Sequence, residues 1–165
     1  MPKSGAPNTS GQNGFPKNIA SIVPEFKRFF RWCCLGSPFN TFCKLLLAQW
    51  YLSGMGTSVD EVLAAGINRV LVEEGCECAL VQLGNCYYSG QGVTRNSKAA
   101  FKLYERAAKL GNAEGQYSLG YCFLHGTGVS SDRMLALSWV KKAAAQSHPD
   151  AMIMLQEMLN DRLLE

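Results

Sequence analysis

The 165-residue sequence has no Val/Ile-rich alternating run bounded by turn signals, an absence that argues against β-strands. It has no unbroken apolar stretch of the roughly 20 residues that a bilayer crossing needs, because Gly36-Ser37-Pro38 interrupts the apolar residues between Phe26 and Leu52. The first two dozen residues lack the apolar core of a secretory signal and contain no arginine, unlike a transit peptide. Cys76-Glu77-Cys78 has no Cys-x-x-Cys partner and no suitably spaced histidine, which excludes a zinc site. No Gly-Lys-Ser/Thr follows any glycine pair, so no phosphate loop is present. Gly115-Gln116-Tyr117-Ser118-Leu119-Gly120 approximates a nucleophile elbow, but its serine sits one position late and mid-helix. The two histidines, His125 and His148, have no carboxylate evidently placed to orient them and read as surface or cap residues. Neither a catalytic site, a metal nor a cofactor is expected.

What is abundant is glycine at a fixed interval. Ser53-Gly54-Met55-Gly56, Ser89-Gly90-Gln91-Gly92-Val93 and His125-Gly126-Thr127-Gly128-Val129 are spaced 36 residues apart. The period extends outward: Leu83-Gly84 recurs as Leu119-Gly120, Cys86 as Cys122, Ala100 as Ala136 and Ala107-Ala108 as Ala143-Ala144. An earlier, decayed copy stays in phase through Leu47-Ala48, Tyr51, Ala64 and Gly75. Self-similarity at such a period marks stacked units that bury their apolar faces on one another. The units read as 43–78, 79–114 and 115–150, with a capping helix from Ala151 to Glu165 that begins a fourth.

Within one unit, Ala79, Leu80, Leu83, Gly84 and Tyr87 fall at helical spacing, with the glycine suited to close approach of a neighbouring helix. Gly90 supplies the left-handed conformation that ends this helix A, and Gly92 keeps the connection tight. Asn96 or Ser97 in unit two, and Ser131 or Asp132 in unit three, offer a cap for helix B. That helix runs through Ala100, Leu103, Tyr104, Ala107 and Ala108 until Gly111. In unit one, Ser58 and Glu61 have the spacing of a capping box. The expected fold is all-α: a right-handed superhelix of antiparallel helix pairs, about three repeats plus the C-terminal cap.

The run from Ala79 through Leu83-Gly84-x-x-Tyr87-x-x-Gly90-x-Gly92-Val93, Lys98-Ala99 and Ala107-Ala108-x-x-Gly111 resembles the Sel-one-like repeat family, a relative of the tetratricopeptide repeats. Unit three departs where Phe123 replaces the tyrosine and Ser147 the closing glycine. The resemblance covers about three quarters of the chain. It implies a curved helical solenoid used for protein binding, and it implies no catalytic residues.

Residues 1–24, rich in Gly, Pro, Ser, Asn and Thr, bury too little apolar surface to offset their ordering entropy and are expected to be a disordered tail. Residues 25–42 mix Phe26, Phe29, Phe30, Trp32, Cys33 and Cys34 with Lys27, Arg28 and Arg31, and read as an aromatic, basic N-terminal cap. The alternative is a membrane-surface helix acylated at Cys33 or Cys34. Residues 1–42 hold five basic side chains and one acidic, against eleven and twelve in the remainder. The solenoid is therefore near neutral, which argues against nucleic acid. Lys98, Lys102, Arg106 and Lys109 form a basic line on helix B of unit two, read as a solvated outer face.

Cys86 and Cys122 are repeat-equivalent and sit on stacked helices about 8 to 10 Å apart, too far for a disulfide, so both read as small core hydrophobes. The odd count of seven cysteines fits a reducing compartment, and the expected location is the cytoplasm. A helices are expected to line the concave side. Their positions outside the stacking core are Gln49, Leu52, Val81, Asn85, Tyr88, Ser89, Tyr117, Tyr121, Leu124 and His125, an aromatic, polar and nearly uncharged set suited to interface hot spots. The function expected is a non-enzymatic adaptor that binds a partner peptide or helix on this face. The alternative is a membrane-peripheral protein acting through its N-terminus. An enzyme working through His125 ranks third.

Overall fold

The structure, a computed structural model, describes residues 40–55 and 57–161. The tail at 1–24 and the cap residues Phe26, Phe29, Phe30, Trp32, Cys33 and Cys34 lie outside the described residues. Those described form seven helices and no strand: α1 (Thr41–Ser53), α2 (Glu61–Glu73), α3 (Glu77–Ser89), α4 (Ser97–Lys109), α5 (Ala113–His125), α6 (Arg133–Ala145) and α7 (Pro149–Asp161). Each is 13 residues long. The A helices α1, α3, α5 and α7 begin 36 residues apart, as do the B helices α2, α4 and α6. The last helix thus starts at Pro149, two residues before the expected Ala151, in phase as a fourth A helix.

The same local chemistry closes every turn. Gly54, Gly90 and Gly126 adopt φ of 71°, 82° and 68° and end the A helices. The backbone N–H of each B-helix cap then donates to an A-helix carbonyl: Asp60 to Tyr51 at 2.9 Å, Asn96 to Tyr87 at 2.8 Å and Asp132 to Phe123 at 2.8 Å. Because the acceptor is main chain, phenylalanine replaces tyrosine at 123 without losing the bond. Of the two candidates at each position, Asn96 caps α4 and Asp132 caps α6. Ser58 does not cap α2: that helix starts at Glu61, and Asp60 Oδ1 accepts from the Leu63 N–H at 2.9 Å. A carboxylate immediately before the first helical residue reaches the free amides, whereas Ser58 lies two positions too early.

B helices hand over to A helices through left-handed residues at Gly75, Gly111 and Ser147, the last with φ 62° despite its side chain. The backbone N–H of Cys76, Asn112 and His148 donates in turn to Leu71, Ala107 and Ala143. Glycine also sets the stacking distance. A β-carbon on Gly92 would come within 1.9 Å of the Glu61 carbonyl oxygen, and one on Gly128 within 2.3 Å of that of Ser97. Gly92 and Gly128 therefore seat against the start of the preceding unit's B helix.

The core runs along the stack in three clusters, the first of them Cys43, Leu47 and Trp50 at the N-terminal end. Leu80, Val81, Ala100, Tyr104, Ala107, Ala108, Leu119 and Cys122 form its middle, and Ala136, Val140, Ala143, Ala151, Met154 and Met158 its C-terminal part. Cys86 and Cys122 are buried small hydrophobes, as the repeat pattern required. Burial pushes both thiols up, that of Cys122 to about 11. Two polar residues are buried in this apolar interior, Gln116, which is hydrogen-bonded, and Asn68, which is not satisfied. Asn68 is fully buried, the Cys86 thiol beside it is a poor hydrogen-bond partner, and neither side-chain polar atom is satisfied at normal distance.

Candidate partner-binding face

The A helices carry two neighbouring concavities. The first, about 320 Å³, is lined by Gln49, Leu52, Ser53, Gln82, Asn85, Cys86 and Gln91, from α1, α3 and the loop after α3. The second, about 240 Å³, is lined by Asn85, Tyr88, Tyr104, Glu114, Tyr117, Ser118, Tyr121 and Cys122, from α3, α4 and α5. Asn85 lies in both. It is held there by the Tyr104 hydroxyl, which donates to Asn85 Oδ1 at 2.6 Å. Of the residues singled out from helical phase, Gln49, Leu52, Asn85, Tyr88, Tyr117 and Tyr121 line these concavities.

The others lie elsewhere. Val81 is 5% exposed and belongs to the core, which corrects its expected place on the groove. An internal A helix is packed on its own partner and on both neighbouring units, so its apolar arc is wider than a two-sided pattern suggests. Tyr117, the repeat equivalent of Val81, is only half-buried. Leu124 packs against the C-terminal core cluster. Ser89 is exposed, and its hydroxyl donates back to the Asn85 carbonyl at 2.7 Å. His125 is exposed beside Tyr121, with ring centres 4.3 Å apart.

Aromatic rings extend from this face in sequence. Tyr88 and Tyr121 meet edge to face at 6.3 Å, and the Arg95 guanidinium lies 5.9 Å over the Tyr88 ring. Tyr117 stacks on His148 at 4.9 Å with an interplanar angle of 19°. Glu114 was not anticipated from sequence. Its Oε2 lies 2.7 Å from His148 Nε2, while His148 Nδ1 accepts from the Ala151 N–H at 3.3 Å. Accepting at Nδ1 leaves the neutral ring's proton on Nε2, so the ring donates to Glu114. The expectation that no carboxylate orients His148 is thereby corrected; the carboxylate is 34 residues away in sequence and arrives by stacking.

Titration behaviour reflects this crowding. Burial, then charge from Asp150, Glu114 and Glu157, pushes the Tyr117 phenol up. The Tyr121 phenol is raised chiefly by the adjacent Tyr88 hydroxyl. Burial dominates the rise at Tyr104. None of these phenols is activated toward ionisation. Among the described residues, no group of three or more His, Cys, Asp or Glu side chains is placed to hold a metal ion, and no helix is long and apolar enough to cross a membrane.

On the other side of the molecule, the basic line Lys98, Lys102, Arg106 and Lys109 is exposed on α4. Lys109 pairs with Glu105 at 2.6 Å, and Lys102, Arg106 and Lys109 share a shallow concavity of about 410 Å³ with Glu77 and Glu105. The two carboxylates offset part of this positive charge, as on an ordinary solvated helix face.

The Sel1 repeat family's sequence model matches residues 43–66, 79–112 and 113–148, more than half of the chain. A protective antigen of uropathogenic Escherichia coli strains, displaying an SLR fold, superposes with a TM-score of 0.72 at 23% identity, over 86% of this chain and 32% of the antigen. The chain thus spans about a third of that protein's length. A Sel1 repeat protein from Oxalobacter formigenes is 31% identical with a TM-score of 0.62, over 85% of this chain and 96% of its own. Helicobacter pylori cysteine rich protein B gives 20% identity and a TM-score of 0.57, over 88% of this chain and 100% of its own. The antigen and the Helicobacter protein, each under 25% identical, bear on fold alone. No curated protein matches the chain. Stacked 36-residue helix pairs, glycine-closed turns and the matched repeats agree: the chain belongs to the Sel1 repeat family, whose members are generally non-enzymatic scaffolds for protein–protein interaction.

Proposed function

We propose that the chain is an adaptor that holds a peptide or helix of a partner protein against α1, α3 and α5. The observation that carries this reading is the pair of concavities joined at Asn85, lined by Gln49, Leu52, Tyr88, Tyr117 and Tyr121 from three successive A helices. Tyrosines give large contact area with a hydrogen-bonding tip, and a rigid helical frame spares the ordering entropy that flexible loops would lose on binding. Support for a cytoplasmic location comes from Cys43, Cys76, Cys78, Cys86 and Cys122, all of which are free thiols.

The test is site-specific photocrosslinking. A benzoylphenylalanine placed at Gln49 or Ser89 should capture the same partner, identified by mass spectrometry, while one at Arg106 on the opposite side should not. Replacing Tyr117 and Tyr121 by alanine should weaken that capture and leave the helical circular dichroism intact. Equal capture from Arg106, or capture indifferent to the double substitution, would overturn the assignment of this face.

A further inference from the structure

We propose that the second concavity is an arginine-binding subsite, which takes the guanidinium of an arginine in the partner segment. The inference rests on the groove reading above and names the chemistry of its partner.

Three observations lead to it. Tyr88, Tyr117 and Tyr121 wall the concavity, Glu114 stands at its edge, and Asn85 and Ser118 add polar atoms. No lysine or arginine is among the lining residues. The Glu114 side chain is 51% exposed, and only its Oε2 is engaged by His148, so Oε1 remains open to a donor. Around Tyr117 the surroundings are negative as well: Asp150, Glu114 and Glu157 all act on its phenol in the direction that disfavours a further negative charge, while the Arg95 guanidinium lies at the Tyr88 wall.

An aromatic wall with one accessible carboxylate suits a cation, because the ring face is the negative pole of its quadrupole. Guanidinium suits it better than ammonium. It is planar and can lie on a tyrosine while directing N–H groups at a carboxylate, and it is more weakly hydrated. The molecule already makes this contact once, with Arg95 over the Tyr88 ring at 5.9 Å. A trimethylated lysine would use the rings but offer no donor to Glu114.

The experiment titrates the ¹⁵N-labelled full chain with N-acetyl-arginine amide, and in parallel with the citrulline, lysine and trimethyl-lysine amides. Citrulline keeps the shape and removes the charge. The arginine compound should produce saturable shifts at Asn85, Tyr88 and residues 114–121, and Glu114→Gln should weaken it about tenfold, the loss expected for one charge-assisted hydrogen bond. Glu114→Gln keeps an acceptor for His148, so its fold can be checked by the unchanged remainder of the spectrum. Tyr117→Leu, which removes the ring face, should weaken binding independently. Citrulline binding as tightly as arginine, shifts confined to other surfaces, or tighter binding of either lysine compound would each overturn the proposal. Partner crosslinking through Gln49 and Ser89 with a subsite silent to arginine would sink this inference alone. An arginine-responsive subsite without groove crosslinking would sink the groove reading instead.

Discussion

The Tyr104 ring occupies the notch left by Gly84: a β-carbon at Gly84 would meet the ring at 2.6 Å. Tyr104 cannot swing away cheaply, because it is 4% exposed and its hydroxyl is tied to Asn85. Gly120 stands in the same relation to Val140, at 2.7 Å, whereas the equivalent pair in unit one is Ala48 and the smaller Asn68. Gly84→Ala should therefore destabilise the fold by about 1–3 kcal/mol through overpacking. In a denaturant double-mutant cycle with Tyr104→Val, the cost should be markedly less than additive; strict additivity would mean the two positions are independent.

Loop glycines with the same sign of φ should not respond alike. Gly92 combines φ 68° with the contact to Glu61, while Gly111 has φ 88° and open space around it. Gly111→Ala should cost about 1–2 kcal/mol, the conformational penalty alone. Gly92→Ala should cost clearly more, because the A–B loop must also lift off α2. Chemical unfolding of the two variants side by side measures the difference, and equal costs would show that loop seating contributes little.

Ser147 occupies the left-handed position that glycine fills at 75 and 111, with φ 62°. Ser147→Gly should raise stability by roughly 1 kcal/mol by relieving that strain. A lowered or unchanged melting temperature would refute it.

Asn68 buries an amide with no satisfactory partner. Asn68→Val, which brings in the residue found at the equivalent Val140, should stabilise unit one by about 1–2 kcal/mol despite removing a polar group. Amide hydrogen exchange in α1–α3 should slow accordingly. Faster exchange would mean that the amide has a role in this helix packing.

Alkaline pH should unfold the protein earlier than its surface charge suggests. Burial raises the Cys122 thiol from its ordinary 9.0 to about 11, and the Tyr104 phenol moves in the same direction from 10.0. Raised values in the fold mean that their contribution is intact below about pH 9 and is lost as pH climbs through about 11. Melting temperature should fall across that window, and Cys122→Ala should flatten part of the slope relative to its own neutral-pH value. A slope unchanged in both Cys122→Ala and Tyr104→Phe would place the alkaline transition elsewhere.

The 36-residue period, the all-α class, the alternation of helices A and B and, to within one residue, the caps at Asn96 and Asp132 were legible in the sequence. All are enforced by local chemistry: glycine is needed where φ is positive, an Asn or Asp side chain where free amides begin, and small apolar residues where helices approach. What only the tertiary structure decided depends on rotation about helix axes and on partners 19 to 34 residues away in sequence. Val81 is core although its equivalent Tyr117 lines a concavity, because an inner helix is covered on three sides and side-chain length then determines which residue reaches the surface. The His148–Glu114 pair joins the starts of two A helices that meet only when units stack. Asn85 links two concavities because Tyr104, 19 residues later, pins it there. Spacing along one chain tells which positions are alike. The company each keeps is set by the contact distances that close packing imposes between helices.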